Sequence, residues 1–391
     1  MDLVPDVLLG RIPVHSMIEV NALATRLVSY QKRLPRETEP SYDLLIVSAN
    51  VDQFYGEQQL PETWRHFVEI TEPVPSQYDL FWVAEEGCLQ SPYEEISPAT
   101  ISAFLDGSAE SGGGSWRVDF GGHGGWDMLA ANYDGYPDTD AEKVFPSDLR
   151  DLVGSGGMFC TAWAFNCGTG QFWNPLADTT ICETWLGIDS QSSDAPLGPS
   201  YVGNVYQGLN SLEVGGSPSH LLNRWFLDVL YNQQPAVGAR GQATVFNQAK
   251  LAYIDQWLSY PPGVIPPPIE ITPGDVVEPM WDLLNFNLIG DPACPLWLTE
   301  PLGMTVQHVT ILNAPVQFTV TVTDAGNQPI QGARVCLLLE RNSSFVIYRR
   351  GQTNSSGQYS VYLDPSSAGT MTVTVTKEGY LPYQGSVAVR V

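Results

Sequence analysis

Residues 116–125 are WRVDFGGHGG, and residues 158–170 are MFCTAWAFNCGTG. Each stretch begins with a run rich in apolar residues and ends in glycines around one reactive side chain, His123 in the first and Cys167 in the second. Runs of this length and character are typical of strands buried on both faces of a parallel sheet. The glycines indicate sharp turns and a backbone that a ligand can approach closely. The two stretches therefore predict two strands of an α/β layer, each with a reactive group at its carboxyl end.

The segments on either side extend this layer. Apolar runs at residues 42–48 and 78–84 predict two further strands. Helices are predicted at residues 16–34, 147–153, 217–231 and 239–258. The first of these begins with a capping box, Ser16 with Glu19 three residues later, and its apolar face is predicted to contain Ile18, Leu23, Leu27 and Tyr30. Strands that alternate with helices predict an α/β fold with a mostly parallel sheet flanked by helices.

The character of the sequence changes towards the C-terminus. Residues 261–279 are rich in proline and predict a surface loop without regular structure. From about residue 306, apolar and polar residues alternate with a period of two, with turn signals every eight to twelve residues. This pattern predicts an all-β sandwich. We therefore expect two domains, at residues 1–300 and 305–391.

Composition limits the classes of function. The 391 residues carry a formal net charge of −25 and are 43% hydrophobic, so the chain is globular and acidic. Nucleic acid and anionic membranes would repel it, whereas cationic substrates, bound Ca²⁺ or a surface kept soluble by charge are all compatible. No stretch is apolar enough to span a membrane. The start has no signal-peptide pattern, so we expect a chain trimmed from a longer secreted or cell-surface precursor.

The pair of His123 and Cys167 suits covalent acyl transfer. They are 44 residues apart, which leaves room for one crossover connection between neighbouring parallel strands. A thiolate is the nucleophile in such chemistry, and a histidine beside it exchanges protons with the thiol and the leaving amine. From the residue types alone, a loop histidine and a buried core cysteine explain the pattern equally well.

The local motifs resemble those of the gingipain-type cysteine peptidases, relatives of caspases and legumains. The matching motifs are GHG at residues 122–124, NCGTGQF at 166–172, CETW at 182–185, PDVLLGRIPV at 5–14 and NLIGDP at 287–292. The resemblance implies a caspase-like (caspase-hemoglobinase) α/β domain followed by an immunoglobulin-like sandwich. The family usually has a further α/β subdomain before the GRIPV segment, here residues 10–14, and we expect that subdomain to be largely absent from this chain.

The resemblance also implies roles for individual residues. Cys167 is expected to be the nucleophile of a secreted cysteine endopeptidase, with His123 as general acid and base. The backbone N–H groups of Gly124 and Cys167 are expected to form the oxyanion hole. A third, acidic catalytic residue is not matched, so the site is treated as a dyad; Asp119 lies four residues before His123 on the strand. The chemistry requires no cofactor, and proteins or peptides are the expected substrates.

Other residues are candidates for binding. Trp126 and Trp173 are candidates for lining a substrate subsite. Asp127, or one of the acidic residues in the segment 132–142, is a candidate for selecting Arg or Lys at P1, the residue before the cleaved bond. Oxygen ligands at alternate positions around a glycine suit a structural Ca²⁺ ion, although a solvated acidic loop explains them as well. The candidate calcium ligands are Asn132, Asp134, Asp138, Asp140 and Glu142. Two other functions stay open, a cysteine transpeptidase and a non-catalytic surface or adhesion protein.

Overall fold

The computed structural model describes residues 8–32, 44–48, 70–78, 80–84, 94–95, 97–106, 117–131, 143–153, 161–173, 179–188, 198–208, 218–232, 239–259, 278–299 and 301–391. The chain divides into two compact units. The N-terminal unit comprises Met1–Tyr30, Arg36–Ala236 and Arg240–Leu298, and the C-terminal unit comprises Gln31–Pro35, Val237–Ala239 and Thr299–Val391. Among the described helices, none is long and apolar enough to cross a membrane.

In the part of the chain that the structure describes, the N-terminal unit is built on a sheet of seven strands. The strands up to residue 297 are β1 (Leu44–Ser48), β2 (Leu80–Ala84), β3 (Glu94–Glu95), β4 (Arg117–Gly121), β5 (His123–Gly125), β6 (Met128–Ala131), β7 (Thr161–Ala164), β8 (Ser200–Asn204), β9 (Ala239–Gly241), β10 (Phe286–Gly290) and β11 (Pro295–Trp297). The order in the main sheet is β10-β8-β7-β4-β1-β2-β3. All neighbours in it are parallel except β10, which pairs antiparallel with β8 at the edge. Strands β1, β2, β4 and β7 confirm the strands predicted at residues 42–48, 78–84, 116–120 and 158–165, respectively.

Both faces of the sheet are covered by helices. Those within the described residues are α1 (Met17–Lys32), α2 (Pro98–Asp106), α3 (Pro146–Val153), α4 (Ile181–Trp185), α5 (Pro218–Asn232), α6 (Gln242–Ser259) and α7 (Glu278–Asn285). Residues of α1 to α4 share one apolar core with alternate strand residues such as Val47 and Phe120. Residues of α5 and α6 share a second core with the intervening strand residues, such as Ile46 and Trp163. The alternation follows from the two-residue period of a strand, and it gives a three-layer α/β unit.

The first helix confirms its prediction with one correction. Its N-terminus is capped as expected by Ser16, whose Oγ accepts the Glu19 N–H at 3.3 Å, and the Glu19 carboxylate accepts the backbone N–H groups of Ser16 and His15. Leu23 and Tyr30 are buried, whereas Ile18 is 72% exposed, so its predicted place on the apolar face is wrong. Arg26 occupies part of the buried face instead and donates to the carbonyl oxygens at the end of α4.

The proline-rich segment is also corrected in part. Residues 260–277 lie outside the described residues, but α7 begins at Glu278 and includes Pro279, which was predicted to be irregular. Proline is tolerated in the first turn of a helix because its missing N–H would have no intrahelical partner there. The predicted loop therefore ends before residue 278.

The C-terminal unit consists of strands only, within the described residues 301–391. They are β12 (Met304–Gln307), β13 (Ile311–Asn313), β14 (Val316–Asp324), β15 (Arg334–Arg341), β16 (Ser344–Gln352), β17 (Gln358–Leu363), β18 (Gly369–Thr376) and β19 (Tyr383–Arg390). They form a three-stranded sheet, β12-β14-β17, and a five-stranded sheet, β13-β19-β18-β15-β16. Both sheets contribute to one apolar core, for example Phe318 from the first and Leu337 from the second. The predicted all-β region with alternating burial is confirmed.

This alternation generates a prediction about the stability of the sandwich. Leu337 is fully buried in the core and Leu338, the next residue of β15, is only half-buried. We expect Leu337→Ala to lower the free energy of unfolding of the C-terminal unit by about 2–5 kcal/mol, because it leaves a cavity. Leu338→Ala is the matched control and should cost about 1 kcal/mol, in proportion to its smaller burial. Hydrogen exchange of the β15 and β18 amides under increasing denaturant measures both, and equal losses would contradict the assigned faces.

Candidate active site

His123 and Cys167 lie at equivalent places beyond two neighbouring strands. In the parallel pairing of β4 with β7, Phe120 is opposite Ala164. His123 follows Phe120 by three residues, and Cys167 follows Ala164 by three. The carboxyl ends of parallel strands meet at one edge of the sheet, which is where ligands bind in open α/β folds. The pairing therefore brings the two side chains to the same edge with the same offset.

Residues 122–125 (the histidine turn, which includes the short strand β5) contact residues 166–170 (the cysteine turn). The side-chain amide of Asn166, which is fully buried, donates to the backbone oxygen of His123 at 2.6 Å. At Gly124 a β-carbon would lie 2.5 Å from Cβ of Asn166 and 3.2 Å from the backbone oxygen of Cys167. Only glycine fits such an approach without moving its neighbours. The glycines of the sequence motif thus allow the histidine turn to pack directly on the cysteine turn.

The sulfur of Cys167 receives a backbone hydrogen bond from a third segment. The N–H of Gly208 donates to Sγ of Cys167 at 3.3 Å. The same segment, which follows β8, accepts the N–H of Gly168 at the backbone oxygen of Tyr206, at 2.6 Å. Gly168 has a φ of +68°, a left-handed conformation that favours glycine. Cys167 is half-buried and is a free thiol, so it combines partial access with a donor that stabilises a thiolate.

The environment of His123 favours its neutral form. The ring is partly buried, and this burial lowers its pKa below the ordinary value of 6.5. Desolvation acts in this direction because it disfavours the charged imidazolium. A neutral imidazole is the form that can accept a proton from a thiol.

The side chain of Asp119 is buried on the face of β4 opposite to that of Phe120. Its carboxylate is fully buried, lies 2.7 Å from Nη2 of Arg117 and accepts a hydrogen bond from the Asn223 amide at 2.8 Å. Burial raises the pKa of Asp119, and the attraction of Arg117 opposes that rise. Asn223 belongs to α5, so these contacts fix the carboxylate between the sheet and that helix.

Helix α4, which contains the motif at residues 182–185, is hydrogen-bonded to the residues that follow the histidine turn. The N–H of Ile181, the first residue of α4, donates to the backbone oxygen of Trp126 at 2.7 Å. Glu183 completes a capping box with Thr180, accepting both its N–H and its hydroxyl. The capping box orders the first turn of α4. The Ile181 N–H in that turn is the donor that reaches Trp126, in the turn that follows His123 and Gly124.

The motifs at the two ends of the unit meet each other. Arg11 forms a parallel bridge with Ile289 of β10, with hydrogen bonds from the Arg11 N–H to the Leu288 oxygen at 2.9 Å and from the Gly290 N–H to the Arg11 oxygen at 2.7 Å. The Arg11 guanidinium also lies 5.0 Å from the centre of the Phe172 ring. Since Phe172 follows the cysteine turn, the first motif is linked both to the edge strand and to the segment after Cys167.

Residues 1–297 match the family described as peptidase family C25, and residues 313–388 match a bacterial Ig-like domain of group 1. The chain belongs to peptidase family C25. The resemblance to gingipain-type cysteine peptidases followed by an immunoglobulin-like domain is therefore confirmed. A search of curated proteins found no match.

Three solved structures show a distant likeness to this chain. The sulfur carrier protein SoxY from Chlorobium limicola f thiosulfatophilum is 16% identical, over 22% of this chain and 74% of that chain, with a TM-score of 0.16. The CARDB domain of a Pyrococcus furiosus protein, in complex with di-metal ions, is 12% identical over 23% and 87%, with a TM-score of 0.16. Domains d3-d4 of the rat CD45 extracellular region are 16% identical over 24% and 54%, also with a TM-score of 0.16. At these TM-scores the likenesses carry no argument about this chain.

The remaining candidate residues of this C25 peptidase differ in position. Trp126 and Asp127 form the turn between β5 and β6, directly after the histidine turn, and both are half-buried. Trp173 is 67% exposed at the end of the described cysteine segment. The candidate calcium ligands Asn132, Asp134, Asp138, Asp140 and Glu142 lie outside the described residues. Within the described ranges, no three His, Cys, Asp or Glu side chains are grouped so as to hold a metal ion.

The sequence did not indicate the segment after β8, although it contacts the cysteine turn. Residues 205–208 are VYQG, without a reactive or metal-binding side chain, and backbone atoms of this segment form hydrogen bonds with Cys167 and Gly168. Asn204 and Asn285, which contact this segment, are 81 residues apart, and a single asparagine in either place is unremarkable as a pattern. A sequence signal for such a site would require knowledge of the pairing of β8 with β10.

The close approach behind Cys167 gives a second prediction. A β-carbon at Gly170 would lie 2.4 Å from the backbone oxygen of Gly203 in β8. We expect Gly170→Ala to displace the cysteine turn, to lower stability by about 1–3 kcal/mol and to change the alkylation rate of Cys167. Gly241→Ala is the control, because its nearest neighbour would be 3.6 Å away. Thermal unfolding and mass-spectrometric alkylation kinetics provide the readouts, and wild-type behaviour of Gly170→Ala would refute the packing described.

Proposed function

We propose that this member of peptidase family C25 is a cysteine endopeptidase with a caspase-like N-terminal domain, in which Cys167 is the nucleophile and His123 the general acid and base. The observation that carries the proposal is the equal three-residue offset of these two residues beyond the paired positions Phe120 and Ala164. Two reactive groups that follow adjacent parallel strands with the same offset are placed for joint action on one ligand. The family match supports cysteine peptidase chemistry independently.

The proposed reaction proceeds through an acyl-enzyme. The neutral His123 ring takes the thiol proton, and the Cys167 thiolate attacks the carbonyl carbon of the scissile peptide bond. The imidazolium then gives its proton to the departing amine, which leaves Cys167 joined to the acyl part as a thioester. A water molecule, deprotonated by His123, hydrolyses the thioester and regenerates the thiol. Every proton taken from the nucleophile or the water is thus returned to a leaving group.

The backbone beside the nucleophile is proposed as the oxyanion hole. Gly124 packs against the backbone of Cys167, so the N–H groups of these two residues belong to one small region. A pair of preorganised donors at a developing oxyanion is typically worth about 3 kcal/mol for each donor in the transition state. Since a side chain at position 124 would collide with Asn166, the glycine is needed for this arrangement.

The distribution of charge favours cationic substrates. Residues 1–300 carry 12 Lys and Arg against 39 Asp and Glu, whereas residues 301–391 carry 6 against 4. The net negative charge therefore belongs to residues 1–300. Such a field attracts positively charged peptides and raises their rate of association. We propose Arg or Lys at P1, with Asp127 and Trp126 as the nearest candidate pocket residues among those described, and action outside the cell or at its surface.

Cleavage mapping tests the proposal directly. We expect the protein to cut a diverse peptide mixture after Arg or Lys, and Cys167→Ala to lose this activity by roughly 10⁴-fold or more, because no acyl-enzyme can form. Cys336→Ala is the control, since it removes another half-buried free thiol, from the C-terminal unit. Mass spectrometry identifies the cut sites, and parallel reactions with a chelator or with added Ca²⁺ test the acidic segment 132–142.

Three outcomes contradict parts of this assignment. Equal cleavage by the wild type and by Cys167→Ala would remove Cys167 as the nucleophile. Ligation of peptides to an added amine in place of hydrolysis would assign a transpeptidase. A folded protein that cuts nothing in the mixture would favour a non-catalytic surface protein.

The pH dependence provides a further prediction. Burial lowers the pKa of His123 from 6.5, so the neutral ring that accepts the thiol proton persists to lower pH than in an exposed histidine. We expect the acid limb of kcat/KM for an Arg peptide to have its midpoint below 6.5, the ordinary value for histidine. Initial rates at low substrate concentration measure kcat/KM across the acid and neutral range. A midpoint above the ordinary histidine value would show that His123 does not act as a buried neutral base.

A further inference from the structure

Two buried asparagines lie behind the segment that contacts Cys167. Asn204 is the last residue of β8 and is fully buried, and Asn285 is the last residue of α7 and is 5% exposed. Nδ2 of Asn285 donates to Oδ1 of Asn204 at 2.9 Å. Burying two side-chain amides without hydrogen-bond partners would lower the stability of the fold, so the partners that these amides have indicate their role.

Asn285 holds the segment after β8 by three hydrogen bonds. Its Oδ1 accepts the N–H of Tyr206 at 2.7 Å, and its Nδ2 donates to the backbone oxygen of Gln207 at 2.9 Å. Its own backbone oxygen accepts the N–H of Val205 at 3.1 Å. With the bond to Asn204, both amide hydrogens and the amide oxygen are used. A flipped amide would point its oxygen at two other oxygens, so this network determines the orientation of the side chain.

Asn204 connects the same segment to the strand that carries the nucleophile. Its Nδ2 donates to the backbone oxygen of Phe165 at 2.8 Å, two residues before Cys167. At Gly208 a β-carbon would lie 2.4 Å from that same oxygen and 2.8 Å from Nδ2 of Asn204. Gly208 therefore lies directly against the asparagine and the strand end, and from there its N–H reaches Sγ of Cys167.

Few side chains of this segment are buried. Tyr206 is 66% exposed and Gln207 is exposed as well. Trp281, on the same helix as Asn285, also contacts the segment, with its ring 6.2 Å from that of Tyr206 and its Nε1 donating to the Gln207 oxygen at 2.9 Å. The conformation of the segment therefore depends mainly on hydrogen bonds to its backbone. A backbone N–H that donates to a sulfur atom stabilises the thiolate relative to the thiol, provided that the donor is held at the required distance. Whatever fixes residues 205–208 thus also fixes the fraction of reactive thiolate.

We propose that Asn204 and Asn285 are positioning residues, an amide pair that holds the Gly208 N–H on the Cys167 sulfur and thereby sets its reactivity. The significance for catalysis rests on the proposed function, in which Cys167 is the nucleophile. The effect on the thiol itself does not, because it follows from the hydrogen bonds alone.

The test measures the reactivity of Cys167 without any substrate. The full-length protein and Asn285→Ala are alkylated with iodoacetamide over a range of pH, and the modification of the peptide that contains Cys167 is followed by mass spectrometry. We expect the pH midpoint of alkylation to move upward and the rate at neutral pH to fall about tenfold, as for the loss of one hydrogen bond to a charged group. Asn204→Ala should have the same effect, and the double variant should add little to either single one, because the two amides act as a unit.

Control variants separate positioning from a general loss of structure. Asn232→Ala removes the same amide from the last residue of another helix, α5, where it donates to the backbone oxygen of Pro73 and to the Asp228 carboxylate, and it should leave the alkylation profile unchanged. Asn285→Asp has the same size and retains the acceptor for Tyr206 but loses the amide donors, so it decides the question if Asn285→Ala does not fold. A folded Asn285→Ala or Asn285→Asp with the wild-type alkylation profile would overturn the proposal.

Peptide cleavage by the same variants distinguishes this inference from the proposed function. If Asn285→Ala shifts the alkylation profile and lowers kcat more than it raises KM, both proposals are supported. If the alkylation profile shifts but the wild type cleaves no peptide, the positioning role stands and the peptidase assignment fails. If the wild type cleaves peptides and the profile is unchanged in folded variants, the positioning role alone fails.

Discussion

The parallel pairing of β4 with β7 is the constraint on which the candidate site depends. It aligns Phe120 with Ala164, and the two turns that follow carry His123 and Cys167 to one edge of the sheet. A slip of the register by one residue would turn the side chains of one strand to the other face and would separate the pair. The buried residues of both strands, such as Val118 and Trp163, resist that slip because each fits a different core. The packing of the sheet therefore fixes the geometry of the chemistry.

Much of this arrangement was predictable from the sequence. Continuous apolar runs predicted the parallel strands, and glycines beside a histidine and a cysteine predicted the edge at which the site lies. The period-two pattern after residue 306 predicted the sandwich. These signals are local, since each depends on residues within one element. The exposure of Ile18 was not predictable in this way, because the helical period places it on a face without revealing how far along the helix that face is covered.

The part of the site that the sequence did not indicate is non-local. Asn204 and Asn285 contact each other only because β10 pairs antiparallel with β8 at the edge of an otherwise parallel sheet. Their hydrogen-bond partners are mostly backbone atoms, which every residue has. The side chains of residues 205–208 therefore do not reveal that this segment contacts the site. Asp119 is the opposite case, because its sequence position near His123 suggests a role in the site that its contacts do not support. Its buried carboxylate pairs with Arg117 and accepts a hydrogen bond from Asn223.

The late position of Asn285 in the chain has a consequence for biosynthesis. A ribosome has already made His123 and Cys167 when more than a hundred residues of the peptidase part are still missing. The amide of Asn285 and the edge strand that follows it are among the last parts of that unit to be made. If Asn285 holds the Gly208 N–H on the sulfur as proposed, the Cys167 thiol acquires this backbone donor only when the unit is nearly complete. A growing chain would then carry a less reactive thiol until synthesis has passed the edge strand.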